Sequence, residues 1–149
     1  MLIKAITYTN YNGEKKTKNF YFNLTRSEIS RMEFMADGGL AMKFKKMFET
    51  QDKKELFAYF EEFILDCYGE KSEDGELFIK NDDVREKFRN HPAYDVLIME
   101  FLTGGEKAMS DFVNAVIPSD LQDNMKNADP EAFNKLVGFD VINANKAEG

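Results

Sequence analysis

The stretch Asp52-Lys53-Lys54-Glu55-Leu56-Phe57-Ala58-Tyr59-Phe60-Glu61-Glu62-Phe63-Ile64-Leu65-Asp66-Cys67-Tyr68 decides the fold class. Leu56, Phe57, Phe60, Phe63, Ile64, Cys67 and Tyr68 recur at helical spacing and form one broad apolar stripe. Asp52 is a capping residue whose charge suits a helix N-terminus. Gly69 is expected to close the last turn in the left-handed conformation. The remaining apolar segments need a surface to pack on, and this helix is expected to be their axis.

Toward the N-terminus, residues 3–9 and 17–22 are rich in β-branched and aromatic side chains, and Asn12-Gly13 between them signals a hairpin turn. In the second strand Lys16, Lys18, Phe20 and Phe22 share one face, and Thr17, Asn19 and Tyr21 the other. Neither face is cleanly polar, so both are expected to be partly covered. A lone hairpin is marginal in water, so it must pack on the helices or pair its edge with another chain. Thr25 and Glu28 fit the capping box, with Leu24 as the staple, and open a helix over 26–36 that buries Ile29, Met32 and Met35. Asp37-Gly38-Gly39 breaks it. A second helix over 40–49 has the stripe Leu40, Phe44, Met47 and Phe48, with Met42 to one side. Its Lys43, Lys45 and Lys46 are the only basic cluster, read either as a solvated face or as a docking surface for an acidic helical partner.

Toward the C-terminus, residues 69–80 read as a short β-excursion turning at Asp74-Gly75, anchored by Leu77 and by Ile79 or Phe78. Asn81-Asp82-Asp83 starts a short helix with Val84 and Phe88 buried. Pro92 suits a first helical position, and the helix to Thr103 buries Tyr94, Leu97, Ile98, Phe101 and Leu102. Gly104-Gly105 ends it. The next helix, over 106–117, buries Met109, Phe112, Val113, Val116 and Ile117, and Pro118 stops it. Short helices are expected over 119–127 and 130–137, followed by a mobile tail. The expected fold is α+β, mainly α: an N-terminal β-hairpin (2–23) packed on a bundle of about five to seven short helices. It forms one domain over 1–137, with 138–149 flexible.

The chain is long enough for one domain with a real core: 149 residues, 43% hydrophobic and 32% charged. A net charge of −7 leaves no large basic surface for nucleic acid. No apolar run approaches the roughly 20 residues of a membrane span, and the N-terminus lacks a signal region. The single cysteine, Cys67, has no partner for an internal disulfide and fits a reducing cytoplasm. Fourteen Phe and eight Met make the core Phe-rich, or leave adaptable apolar surface for a partner.

Catalytic groups are sparse. His91, the only histidine, sits just before Pro92 and reads as a helix cap. Cys67 lies on the apolar stripe, and Glu61-Glu62 and Asp82-Asp83 are adjacent pairs that point apart on a helix. Glu70, Ser72 and Asp74 around Gly75 resemble a calcium loop, but Asn81 stands where a bidentate Glu is needed. The expectation is a protein without enzymatic activity, cofactor or metal.

Several segments together resemble the tail assembly chaperones of long, non-contractile-tailed bacteriophages (siphovirus type). They are 68–80, 92–103, 111–118, the opening Phe20-Tyr21-Phe22-Asn23-Leu24-Thr25 and the pair Gly38-Gly39. The resemblance covers about 6–121. It implies a non-enzymatic protein of the host cell cytoplasm that binds the tape measure protein and keeps it soluble until the tail tube polymerises. It implies absence from the mature virion. In many such proteins a ribosomal frameshift adds a domain that engages tail tube protein, and this chain would be the shorter product or the N-terminal part of the longer one. A tape measure is a long amphipathic helix, and an adaptable Met- and Phe-rich groove suits it. Because Phe34 and Met42 lie off the main stripes, the groove is expected on the two helices over 26–49, at Met32, Met35, Met42, Phe44, Met47 and Phe48. Two other readings stay open. One is a structural accessory protein of tail or capsid, and the other a calcium-responsive helix-loop-helix protein. The oligomeric state is not legible.

Overall fold

The structure, a computed structural model, describes residues 1–35 and 38–118, without the side chains of Leu40, Ala41 and Phe48. Its elements are β1 (Leu2–Thr9), β2 (Lys15–Phe22), α1 (Arg26–Met35), α2 (Gly39–Glu49), α3 (Lys53–Cys67), β3 (Tyr68–Lys71), β4 (Phe78–Ile79), α4 (Asp82–Arg89) and α5 (Pro92–Val116). The fold is α+β and mainly helical, with the N-terminal hairpin against the helices. The helices expected over 119–137 and the tail over 138–149 lie outside the described residues.

The hairpin closes through Asn10, whose N–H donates to Glu14 O at 2.8 Å and whose Oδ1 accepts from the N–H groups of Asn12 and Glu14. Gly13 takes φ 82° there. The register runs from Leu2↔Phe22 to Thr9↔Lys15 without a bulge. Phe20 and Phe22 of β2, with Ile6 and Tyr8 of β1, turn inward and are buried. The other face, with Ile3, Ala5, Thr7, Thr17 and Asn19, is exposed.

The hairpin acquires its further strands from the chain itself. β3 pairs antiparallel with β2 through Tyr21↔Gly69 and Phe22↔Tyr68, and β4 pairs with β3, giving the order β1-β2-β3-β4. This corrects the expectation for Gly69. α3 ends at Cys67, and Tyr68 is extended (φ −70°, ψ 140°), so helix passes straight into strand. Gly69 does not take a positive φ. Its missing side chain serves a close approach instead: a Cβ there would meet the Phe78 ring at 2.5 and 2.8 Å and the Ile79 carbonyl at 3.0 Å. Phe78 is therefore the anchor of this excursion, while Leu77 and Ile79 are exposed. In the turn, the Asp74 carboxylate accepts from the Ser72 hydroxyl (2.6 Å) and Glu76 N–H (3.0 Å), so two of the oxygens that resembled calcium ligands shape the loop.

The starts of α1, α3, α4 and α5 use their expected caps, while α2 starts after Gly38 with no side-chain cap. Thr25 and Glu28 satisfy one another's N–H groups at 3.1 and 3.0 Å. Asp52 accepts from Lys54 and Glu55, Asn81 from Val84, and His91 Nδ1 from Ala93. The Glu28 carboxylate also accepts from Lys80 Nζ (2.7 Å), which donates to Asn23 O as well (2.5 Å) and ties β4 to the start of α1.

α5 is a helix by its outline but folds back at Gly105, whose φ of 65° and ψ of −154° are not helical. A straight helix would separate Phe101 and Phe112 by about 16 Å along its axis. Their ring centroids are 5.4 Å apart. The two halves are thus the two helices expected on either side of Gly104-Gly105. Most of the described residues assigned to the core are buried; Met32 and Phe57 are partly buried, and Leu102 and Met35 are exposed. Leu102 stands about 100° round from Phe101, on the solvent side of the stripe. Met35 is about 240° round from Ile29, off α1's buried line.

Gly69→Ala should lose about 1–3 kcal/mol in denaturant unfolding through the overpacked Phe78 ring. Combining it with Phe78→Ala should recover part of that loss, since the two side chains share one space.

Candidate functional site

Three helices enclose a cleft. α1 contributes Met32; α2 contributes Lys43, Phe44, Lys46 and Met47; α3 contributes Tyr59, Glu62, Phe63 and Asp66. Its floor is apolar, with Phe44 meeting Phe63 edge to face at 5.4 Å. Its volume is about 100 Å³. Small-molecule sites run to roughly 300–1,000 Å³, so this cleft has room for an anchoring side chain and not for a cofactor.

The rims differ in charge. Lys43 and Lys46 stand on the α2 side, and Glu62 and Asp66 on the α3 side. Asp66 is half-withdrawn from water, and burial raises its pKa above the usual carboxylate value, against the opposing pull of Arg85 and of Lys43 across the cleft. Arg85 approaches it to 3.8 Å. Tyr59 donates to Glu55 at 3.1 Å, and that bond raises its phenol pKa. On the other flank of α3 lies a more open depression of about 410 Å³, lined by Ala58, Glu61, Glu62, Leu65, Asp66, Arg85 and Arg89. Of its charges, Arg85 faces Asp66 at 3.8 Å, and Arg89 pairs with Glu86 at 3.6 Å outside the lining. Glu61 also accepts from the Tyr94 hydroxyl at 2.6 Å; burial, then that bond, raises the Tyr94 pKa.

The structure gathers three of the six residues assigned to a partner groove, Met32, Phe44 and Met47, into this cleft. Phe44 and Met47 are also core, 2% and 4% exposed. Met35, 79% exposed, extends the Met32 row by about one turn of α1, and Phe34 beside it is 88% exposed. Met42 is half-buried on α2, and the Phe48 side chain lies outside the described residues. Sequence reasoning missed Tyr59, Glu62, Phe63 and Asp66 as cleft residues. Phe63 was legible only as core stripe; the other three sit on α3 positions that sequence alone marks as surface. Of the basic cluster, Lys43 and Lys46 reach the cleft.

A family model described as phage tail assembly chaperone matches residues 1–148. No curated protein and no solved structure matches the chain. Among the described residues, no helix is long and apolar enough to cross a membrane.

Cys67 and His91 have structural surroundings. Burial raises the Cys67 thiol pKa well above its ordinary value, which keeps it protonated and unreactive. His91 caps α5 through Nδ1 (3.0 Å from Ala93 N) and packs edge-on to Tyr8 (4.7 Å) and Phe20 (5.3 Å). Burial, then Lys18, lowers its pKa below 6.5. The cap needs Nδ1 unprotonated, and the unfolded chain binds the proton more readily. His91 therefore contributes stability above 6.5 that is lost as pH falls through its lower folded value. As the only histidine, its ring signals should show this depressed titration directly by NMR. His91→Asn keeps a capping oxygen and should flatten the stability profile in that window.

Proposed function

The chain belongs to the phage tail assembly chaperones, and from that premise we propose that it binds the tape measure protein and keeps it soluble until the tail tube polymerises. The family implies a non-catalytic role. The observation that carries the finer reading is the cleft between α1, α2 and α3: too small for a cofactor, apolar at its floor and continued outward by Met35. An amphipathic helix lies in such a groove by inserting one or two apolar anchors and running its polar flanks along the rims. Met32 and Met47 adapt to anchors of different shape, which suits a partner whose helical sequence varies along its length. The lysines of α2 and the carboxylates of α3 orient that helix through charge of opposite sign on its two flanks. The chaperone then leaves, in the host cytoplasm, and is absent from the finished particle.

Binding of tape measure fragments to the purified chain tests this. Met35→Glu and Lys43→Glu alter exposed groups and should leave the fold intact by circular dichroism. Each should weaken binding by about tenfold or more. Unchanged affinity in both variants would refute the cleft as the site. Absence of binding by the unaltered chain, or its stoichiometric presence in purified particles by mass spectrometry, would overturn the function.

A further inference from the structure

β1 is the edge of the sheet, and among the described residues nothing pairs its outer side. The hairpin ladder alternates from the Asn10 N–H to Glu14 O bond, so Leu2, Lys4, Ile6 and Tyr8 bond to β2. Ile3, Ala5, Thr7 and Thr9 then direct their backbone N–H and C=O groups away from β2. This edge has eight residues, no proline and no bulge, and such edges template pairing unless they are blunted. Its one inward charge, Lys4, is neutralised by Glu100 at 2.8 Å.

A second feature adjoins this edge. His91 lies against Tyr8, and Glu100 against Lys4. His91 to Glu100 rises about 13 Å as helix, and Tyr8 to Lys4 spans about 13 Å as strand. The first half of α5 therefore runs along β1 in the opposite direction. Around its axis, Ala93, Leu97 and Glu100 turn toward β1. Tyr94 and Phe101 turn toward α3, where they meet Glu61 and Phe60. At about 100° per residue, the flank opposite α3 carries Val96, Met99 and Thr103. Val96 is 38% exposed and Met99 53%. An apolar helix flank thus stands over an unpaired strand edge, both facing away from the body of the protein.

We propose that this combined surface takes a second copy of the chain, through antiparallel pairing of β1 with β1 and packing of α5 against α5. The surface is self-complementary. A two-fold axis normal to the sheet beside Ala5 or Ile6 brings each side chain opposite one on the same face, as antiparallel pairing requires. The sheet continues from one copy into the next, and the same operation sets Val96 and Met99 against their equivalents. Strand pairing alone is small beside the order of 1,000 Å² that a stable interface buries, and the α5 flank supplies the apolar part. The cleft between α1, α2 and α3 lies outside this surface, so two clefts remain open per dimer.

Sedimentation of the full chain across the micromolar range tests the proposal. The unaltered protein should be a dimer. Ala5→Pro removes an outward N–H that β2 does not use, a change an edge strand tolerates. Met99→Glu places a charge on the α5 flank without touching the sheet. Each should raise the dimer dissociation constant about tenfold or more, with circular dichroism unchanged. If Ala5→Pro fails to fold, Met99→Glu decides alone. A monomeric unaltered protein overturns the proposal, and amides of Ala5 and Thr7 protected from hydrogen exchange in that monomer would assign the edge to residues beyond 118. A dimer indifferent to the substitutions also overturns it.

Discussion

Phe112 is where the molecule closes. Its ring lies 5.2 Å from Phe22, 5.4 Å from Phe101, 5.9 Å from Phe60 and 6.2 Å from Phe63, each edge to face. These partners come from β2, the first half of α5, and two turns of α3. Each such pair adds about 0.5–1.5 kcal/mol beyond the burial of its surface. The cluster joins sheet, central helix and helical hairpin in one contact. From it the aromatic packing spreads in two directions: through Phe63 to Phe44 at the cleft floor, and through Phe22 to Phe88 and Tyr68. Tyr68 and Phe88 stack at 3.9 Å, and burial pushes the Tyr68 phenol up to about 12.

This arrangement requires the reversal at Gly105. Without it Phe101 and Phe112 could not face the same rings, and α5 would run past the core as one rod. The positive φ is one that a side chain with Cβ adopts at a cost, and glycine adopts freely. The break is therefore as much a part of the core as the phenylalanines it brings together.

The sequence made the local decisions legible. Capping residues stand one position before each helix they cap, and the stripes of α4 and the second half of α5 fall on buried residues, as does that of α3 apart from the partly buried Phe57 and the unforeseen Leu65. These signals are local, so no knowledge of the partner surface is needed. Gly69 was read as a helix stop because glycine after an apolar stripe usually is one. Its actual reason, the Phe78 ring over its Cα, arises only once β4 has turned back, and no spacing rule carries that. The cleft has the same character. Met32, Phe44 and Met47 were legible as adaptable apolar residues on two adjacent helices. Tyr59, Glu62 and Asp66 joined them only because α3 packs beside those helices, turning positions that look solvent-facing into a charged lip.

The direct passage from Cys67 to Tyr68 has a mechanical corollary. No loop residue lies between the central helix and the third strand, and Tyr68 N–H still donates to Ile64 O. Helix axis and strand direction are geared together with no slack between them. The half of this helix that lines the cleft, from Tyr59 to Asp66, is the half that runs into the strand stitched into the middle of the sheet. A tilt imposed where the helix is grasped must appear as a change in sheet pitch, because nothing at the joint can absorb it.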